Sequence, residues 1–350
     1  MKKILLTGNE AVGEGAIQAG CSFYAGYPIT PQNELTAYMA KRMNQEKRIF
    51  IQAESELAAI NMVLGASAAG VRVMTSSSSP GISLKQEGIS YLAGCQLPCV
   101  IVNIMRGGPG LGNIAPAQSD YFQAIKGGGH GDYHCIVLAP SSVQEAFDLT
   151  RLAFKLAERY RNPAIILGDG MLGQMMEPLK IRSNPKAEKR TRQKKWTLTG
   201  CKNRKPNIIR SLLLKEGALE ELNQTLQRKY QRIKNEEQRW EELSLDDARI
   251  VLVAYGTMAR IARGAVRGLR KKGKKVGLIR PISLWPFPEK AFAHNSSNRV
   301  RYLVIEMSYG QMLEDVRLVV EGRAPVEFLG RAGGGIPSEE EIIRKLKIGS

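Results

Sequence analysis

The feature that most constrains this chain is the alternation, over its first 175 residues, of short apolar runs with amphipathic stretches. That pattern specifies a parallel sheet covered by helices, because a strand buried on both faces reads as an apolar run and its crossover as an amphipathic helix. Candidate strands fall at 4–7, 22–25, 48–52, 71–75, 99–103, 135–138 and 164–167, with helical patterns such as 56–69 and 142–158 between them. Ser142 and Glu145 match a capping box at the start of the second of these helices. Alternation resumes at 250–255 and continues with a helix at 258–272, strands at 276–279, 302–306 and 326–328, a loop at 330–335, and a closing helix from Ser338. The expected fold class is α/β with two doubly wound parallel-sheet domains. The 350 residues suffice for two such cores. No internal repeat is visible.

Between the two alternating regions the composition changes. Residues 182–196 are polar, basic and without apolar periodicity, which predicts a linker or an excursion over a partner's surface. Residues 216–243 read as a long, charged, exposed helix. The net charge of +18 concentrates here: residues 1–175 carry 14 lysines and arginines against 13 acidic residues, whereas 182–232 carry 15 against 4. A second basic stretch, 259–280, carries 9 against none. A localised basic field favours an acidic partner by steering and docking. A solvated basic surface without a partner is the alternative. A nucleic-acid-binding α/β protein is disfavoured, because aromatic interleaving, zinc knuckles and RNA-recognition signatures are missing.

The N-terminal apolar stretch is four residues long, too short for a signal-peptide core, and no window reaches the length of a membrane span. A cytoplasmic protein with no membrane association is expected. Cys21, Cys95, Cys99, Cys135 and Cys201 form no C-x-x-C pair, so neither a disulfide framework nor an iron–sulfur cluster held by this chain alone is expected. Cys95 and Cys99 read as small buried hydrophobes.

Several motifs are set aside. Residues 107–112, GGPGLG, lack the G-x-G-x-x-G spacing, and no G-x-x-x-x-G-K-S/T is present, which argues against a dinucleotide-binding dehydrogenase or a P-loop enzyme. Gly168-Asp169-Gly170 resembles the start of a magnesium–diphosphate site, but the second oxygen ligand expected about 25–30 residues on is missing from QKKWTLT at 193–199. Asp169 therefore reads as a strand-end turn residue. His130 and His134 are four apart but glycine-flanked, so a helical zinc site is disfavoured, and His294 adds no triad.

The richest constellation lies at four successive strand ends. Tyr27-Pro28-Ile29-Thr30-Pro31 follows the second strand, with Pro31 placed to start a helix. Glu54-Ser55-Glu56 follows the third and leads into LAAINMVLGASAAG. A carboxyl at the start of so apolar a helix is expected to be partly desolvated, which favours its neutral form. A purely structural reading also exists, since acidic residues complement a helix N-terminus. The run 75–81, TSSSSPG, ends the fourth strand and Arg106 the fifth. Open α/β sheets bind ligands at this edge.

Taken together, GNEAVGEGAIQAG, YPITP, AESELAAINMVLGASAAG, TSSSSPGISLKQEG, VNIMRGGPGLG, GDYHCIVLAPSS, LIRPISLWPFP and GRAGGGIP resemble the thiamine-diphosphate-dependent 2-oxoacid:ferredoxin oxidoreductases. The resemblance covers nearly the whole chain except about 180–245. It is most like the subunit with the pyrimidine-binding and transketolase C-terminal-like domains, in the branched-chain (3-methyl-2-oxobutanoate) form, with the 2-oxoglutarate form next and a pyruvate-specific one also in range.

The resemblance implies a pyrimidine-binding domain over 1–180, a basic linker and charged helix over 181–245, and a transketolase C-terminal-like domain over 246–350. It implies coenzyme A-dependent oxidative decarboxylation of a 2-oxoacid to an acyl-CoA and CO₂, with ferredoxin reduced. Glu56 falls where the family places the glutamate that hydrogen-bonds the pyrimidine ring. Thr30 matches the threonine beside the substrate, and Arg106 the arginine that pairs with the substrate carboxylate, a task suited to guanidinium. Pro28, Ile29, Ser78 and Gly81 complete the implied cofactor contacts. No metal ligand is expected here. Mg²⁺ and the iron–sulfur clusters are implied to reside in partners: a thiamine-diphosphate-binding subunit, a ferredoxin-like iron–sulfur subunit and a gamma-type subunit.

Overall fold

The computed structural model describes residues 3–181, 194–293 and 300–346. The chain opens with β1 (Lys3–Thr7) and α1 (Gly8–Gln18), then β2 (Phe23–Gly26), α2 (Asn33–Gln45), β3 (Ile49–Gln52) and α3 (Glu56–Ala68). It continues through β4 (Val73–Ser77), α4 (Ser79–Gly94), β5 (Cys99–Met105), α5 (Tyr121–Ile125), β6 (Ile136–Leu138) and α6 (Val143–Tyr160). β7 (Pro163–Asp169), α7 (Gly170–Gln174) and β8 (Met176–Lys180) follow. The strands β3-β2-β4-β5-β7-β6 are parallel neighbours in one sheet. β5 and β7 are buried along their whole length, which is why CVIVNIM and PAIILGD are continuous apolar runs rather than alternating ones.

The second half comprises α8 (Ala218–Glu236), β9 (Trp240–Leu243), β10 (Ile250–Val253), α9 (Gly256–Lys271), β11 (Val276–Pro281), β12 (Ser283–Trp285), β13 (Arg301–Glu306), α10 (Gln311–Val320), β14 (Val326–Gly330) and α11 (Glu339–Lys345). Its sheet runs β14-β13-β10-β11-β9, parallel except for the β9 edge. Helix α9 buries Met258, Ala259, Ala262, Ala265, Val266 and Leu269, a 3.6-period stripe that turns its arginines outward.

Three expectations are corrected. The strand at 4–7 does not enter the parallel sheet: β1 pairs antiparallel with β8, a strand not anticipated because Pro178 interrupts it. The helix over 216–243 stops at Glu236, and Trp240–Leu243 becomes the edge strand β9. Nor is that helix exposed all round. Leu226, Tyr230 and Ile233 are buried, and the Tyr230 ring meets His134 and Trp285 edge-on at 5.4 and 5.7 Å. The run WEEL carries no period-2 alternation, so only the free edge of β11 selects the strand. β12 was likewise missed. It leaves the second half of the chain to pair antiparallel with β6, stitching the two halves together.

Residues 196–198 of the basic segment pack against the first half of the chain. Thr197 is buried, Trp196 lies under the Arg161 guanidinium at 4.7 Å, and Leu198 N–H donates to the Ala68 carbonyl. Residues 182–193 and His294 lie outside the described residues. Among the described residues, no helix is long and apolar enough to cross a membrane.

Candidate functional site at the carboxyl edge of the first sheet

In the first sheet the chain passes from β2 outward to β3 and then back across to β4, so the crossovers diverge between β2 and β4. Such a switch point leaves a crevice beyond the strand ends. Beyond the ends of β2, β3, β4 and β5 come Thr30, Glu56, Ser78 with Gly81, and Arg106 respectively.

Glu56 is the first residue of α3, whose N-cap Ser55 accepts from Ala58 N–H. Its side chain is 5% exposed. The carboxylate faces β4, where Ser77 Oγ donates to Oε1 at 3.5 Å. It also faces Gly81. A Cβ at that position would stand 2.4 Å from Glu56 Oε1 and 2.0 Å from Ser77 Oγ, so only glycine fits between the carboxylate and the first turn of α4.

Ser78 is the N-cap of α4, yet its hydroxyl makes no capping bond and is buried without a partner. Buried polar atoms are normally satisfied, so an orphan at a strand end points to a ligand. Arg106 is 7% exposed. It donates from Nη1 to the Thr30 carbonyl at 2.9 Å and from Nη2 to the Leu111 carbonyl at 3.1 Å, while its buried Nε–H has no partner. Thr30 Oγ1 accepts from Asn33 Nδ2 at 3.1 Å.

The structure thus gathers the predicted residues into two adjoining groups, Glu56 with Ser77 and Gly81, and Arg106 with Thr30. Ser79 joins them through its Oγ, which accepts from the Arg106 N–H at 3.0 Å. Ile29 is partly buried and Pro28 exposed on the rim. Pro31 does not start α2, which begins two residues later at Asn33.

Sequence reasoning missed the buried polar groups next to these residues. Asp120 accepts from Ser79 Oγ at 2.6 Å and from Asn103 Nδ2 at 2.9 Å, and burial raises its pKa above the ordinary carboxylate range. Lys85 is wholly buried. Burial pushes its amine down to about 8, against the opposing pull of Glu56 and Cys99. The run TSSSSPGISLKQEG contained Lys85, but nothing in the spacing signals that it points inward.

The other motifs resolve structurally. Asp169 caps α7 through Leu172 N–H and accepts from Thr257 Oγ1 at 2.8 Å, so its carboxylate ties the two halves together as a strand-end residue. His134 stacks on Trp285 at 4.6 Å, and His130 is exposed against the Tyr91 edge. Cys99 is buried and Cys95 partly so. Among the described residues, no three His, Cys, Asp or Glu side chains lie together as a metal site. Ser142 caps α6, but only half of the expected box forms, because the Glu145 carboxylate turns to Ser141 and Arg280.

A family model described as pyruvate flavodoxin/ferredoxin oxidoreductase, thiamine-diphosphate-binding, matches residues 14–243. The chain belongs to that family. The pyruvate:ferredoxin oxidoreductase core domain II model matches residues 248–342 of this family member. The ketoisovalerate oxidoreductase subunit VorB of Methanothermobacter thermautotrophicus is 50% identical over 343 residues, 98% of this chain and 97% of that protein. The 2-oxoglutarate synthase subunit KorA of Methanocaldococcus jannaschii is 36% identical over 98% of this chain and 99% of its own. Among solved structures, the 2-oxoglutarate:ferredoxin oxidoreductase of Magnetococcus marinus superposes with a TM-score of 0.88 at 29% identity, over 99% of this chain and 65% of that one.

The residues present fit the cofactor of this oxidoreductase family. A buried carboxyl is held against a glycine, and an unpartnered hydroxyl and guanidinium N–H lie at the same sheet edge.

Proposed function

We propose that this chain contributes the pyrimidine-ring half of a thiamine diphosphate site to a 2-oxoacid:ferredoxin oxidoreductase that acts on 3-methyl-2-oxobutanoate in the cytoplasm. The observation that carries the reading is the Glu56 carboxyl, buried at the head of α3 and fitted to Gly81, at a sheet edge with exposed apolar neighbours. Tyr27, Leu57, Leu84, Leu111 and Ile114 all stand exposed on the loops and helices that carry the site residues. Exposed apolar patches around a polar site mark a surface that another subunit covers. That subunit would supply the diphosphate and Mg²⁺ ligands, since Asp169 is engaged in this chain's own bonds. Five free thiols suit a reducing compartment.

Bound thiamine diphosphate supplies the carbon nucleophile and electron sink for decarboxylation. This chain's residues hold and tune it. Glu56 would hydrogen-bond the pyrimidine ring through its carboxyl. Ser78 would offer its spare hydroxyl, and Pro28, Ile29 and Gly81 would shape the cradle. Arg106 would direct guanidinium N–H groups, and Thr30 its hydroxyl, at the substrate carboxylate. The described part of the basic stretch, with Lys202, Lys205, Arg210 and Lys215 exposed, suits an acidic iron–sulfur subunit or ferredoxin. A gamma-type subunit is the third partner this reading requires.

The test is coenzyme A-dependent dye reduction by the assembled complex, purified without oxygen, with 3-methyl-2-oxobutanoate, pyruvate and 2-oxoglutarate in parallel. Preference for the branched-chain acid, and loss of kcat by roughly 10²–10⁴-fold in Glu56→Gln, are the expected results. Preference for 2-oxoglutarate would favour the second reading, which the 36% identity to KorA keeps in view. Dye reduction unaffected by Glu56→Gln would overturn the role of Glu56.

A further inference from the structure

Asp120 and Ser79 have no part in the chemistry proposed above, yet they are bonded to a residue that does. Asp120 is the N-cap of α5 but makes no capping bond. Its side chain reaches the first sheet instead, where one oxygen, Oδ2, accepts from Ser79 Oγ at 2.6 Å and from Asn103 Nδ2 at 2.9 Å. The first distance is that of a charge-assisted bond between a hydroxyl and a carboxylate. Asn103 closes a ring, since its Oδ1 accepts from the Ser79 N–H at 3.2 Å.

A serine hydroxyl has one proton and two lone pairs. The Arg106 carbonyl also lies within reach of Ser79 Oγ, at 3.3 Å. The shorter bond to Asp120 takes the proton, which leaves a lone pair for the Arg106 N–H at 3.0 Å. Arg106 depends on that bond, because β5 ends at Met105, its last residue in register with β7. Past the ladder, the Arg106 guanidinium is aimed by the Thr30 and Leu111 carbonyls. Its direction follows from where the backbone that carries it is held.

The segment that carries Asp120 is itself fastened on both sides. From α10, Gln311 Nε2 donates to the Ser119 carbonyl at 2.7 Å, and Gln311 Oε1 accepts from the Phe122 N–H at 2.8 Å. The second half of the chain thus supports the carboxylate that orders the end of β5. None of these bonds serves α5, which an N-cap side chain ordinarily does.

We propose that Asp120 is a positioning residue for substrate binding, acting through the Ser79 hydroxyl to hold Arg106 where its guanidinium meets the carboxylate of the 2-oxoacid. This role rests on the reading of Arg106 given above. The substrate carboxylate loses its charge as CO₂ leaves, so a guanidinium held on it favours the bound substrate more than the transition state. Misplacing it therefore raises KM more than it lowers kcat.

The experiment uses the assembled complex with Asp120→Ala, Asp120→Asn, Ser79→Ala, Arg106→Leu and the double variant of Asp120→Ala with Arg106→Leu. Dye reduction with the preferred of the three 2-oxoacids gives KM and kcat, and calorimetric titration gives thiamine diphosphate affinity. Asp120→Ala and Ser79→Ala should each raise KM about 10-fold, less than the roughly 100-fold effect of a 1 Å misplacement. In both, kcat should fall less than about 3-fold and thiamine diphosphate affinity should change less than about 2-fold. Asp120→Asn places a carbonyl oxygen where Oδ2 stands and should return KM to within about 3-fold of the parent. In Arg106→Leu, adding Asp120→Ala should change KM less than about 2-fold, because the group it positions is gone.

A parent-like KM in Asp120→Ala and Ser79→Ala, with KM raised in Arg106→Leu, would overturn the role of Asp120 alone. So would a rise in KM that is undiminished in the Arg106→Leu background or matched by an equal loss of cofactor affinity. A parent-like KM in Arg106→Leu would overturn the Arg106 reading and this proposal with it.

Discussion

The carboxyl ends of the two sheets carry similar residue types and use them in opposite ways. In the second sheet Glu306 and Arg280, both buried, are satisfied internally. Glu306 accepts from Met312 N–H, Leu313 N–H and Ser308 Oγ at 2.8–3.0 Å, capping α10. Arg280, at the end of β11, reaches Ser141 Oγ, both Glu145 oxygens and Glu241 at 2.6–2.9 Å. In the first sheet Ser78 Oγ and Arg106 Nε are left over, and Lys85 makes one of three possible bonds. One edge is a clamp between the two halves of the chain, and the other keeps donors free, which suits the site proposed above. Satisfaction of polar groups, more than their identity, separates the two, because unsatisfied buried donors are costly and persist where a ligand completes them.

Four variants test that contrast. The largest effect is expected from Gly81→Ala. Its Cβ meets Glu56 Oε1 and Ser77 Oγ well inside contact distance, so the carboxyl must move. A displacement on the order of 1 Å in such a position lowers kcat by roughly 100-fold, measurable by dye reduction in the assembled complex. The same methyl at Gly268, on α9, meets nothing within 4 Å and should leave activity unchanged.

Glu145→Ala should act on stability instead. It strips the buried Arg280 of its bidentate partner while Glu241 remains, so a loss of roughly 3 kcal/mol, the low end for a broken buried pair, is expected in chemical denaturation. Burial opposes ionisation of Glu145, but the Arg280 and Ser141 bonds outweigh it and hold its pKa below the ordinary value. Its contribution is therefore present above the unfolded pKa and lost as pH falls, and the variant should show a flatter acid limb. An acid limb identical to the parent would mean that the clamp does not depend on this pair.

The smallest effect belongs to the basic surface. Replacing Lys202, Lys205 and Arg210 with glutamate should slow association with an acidic electron-transfer partner several-fold at low salt and much less at high salt, as stopped-flow reduction would show. The site itself should be unaffected, since no hydrogen bond to Glu56, Ser78 or Arg106 comes from that stretch.

Much of this was legible in the chain. The helices at 56–69 and 142–158 and the strands at 99–103 and 164–167 appear where alternation placed them, because their burial is dictated by local periodicity. Thr30, Glu56 and Arg106 were legible because strand-end residues need only the strand boundary to be right. β9 and β12 were not, since three- and four-residue strands have too little local preference and take their conformation from the sheet edges they join. Lys85 was hidden for a related reason. A lysine in a helical pattern reads as a solvated face, and only the close approach of α4 to β4 and β5 turns it inward.

The sequence by itself determined the α/β class and the residue types at each strand end, since periodicity and turn chemistry are local. The strand order β3-β2-β4-β5, the seating of Glu56 on Gly81, the orphan donors of Ser78 and Arg106, and the burial of Lys85 were decided only by the tertiary structure. Each depends on which distant segments pack side by side, and that is settled by the shared burial of apolar faces across the whole sheet.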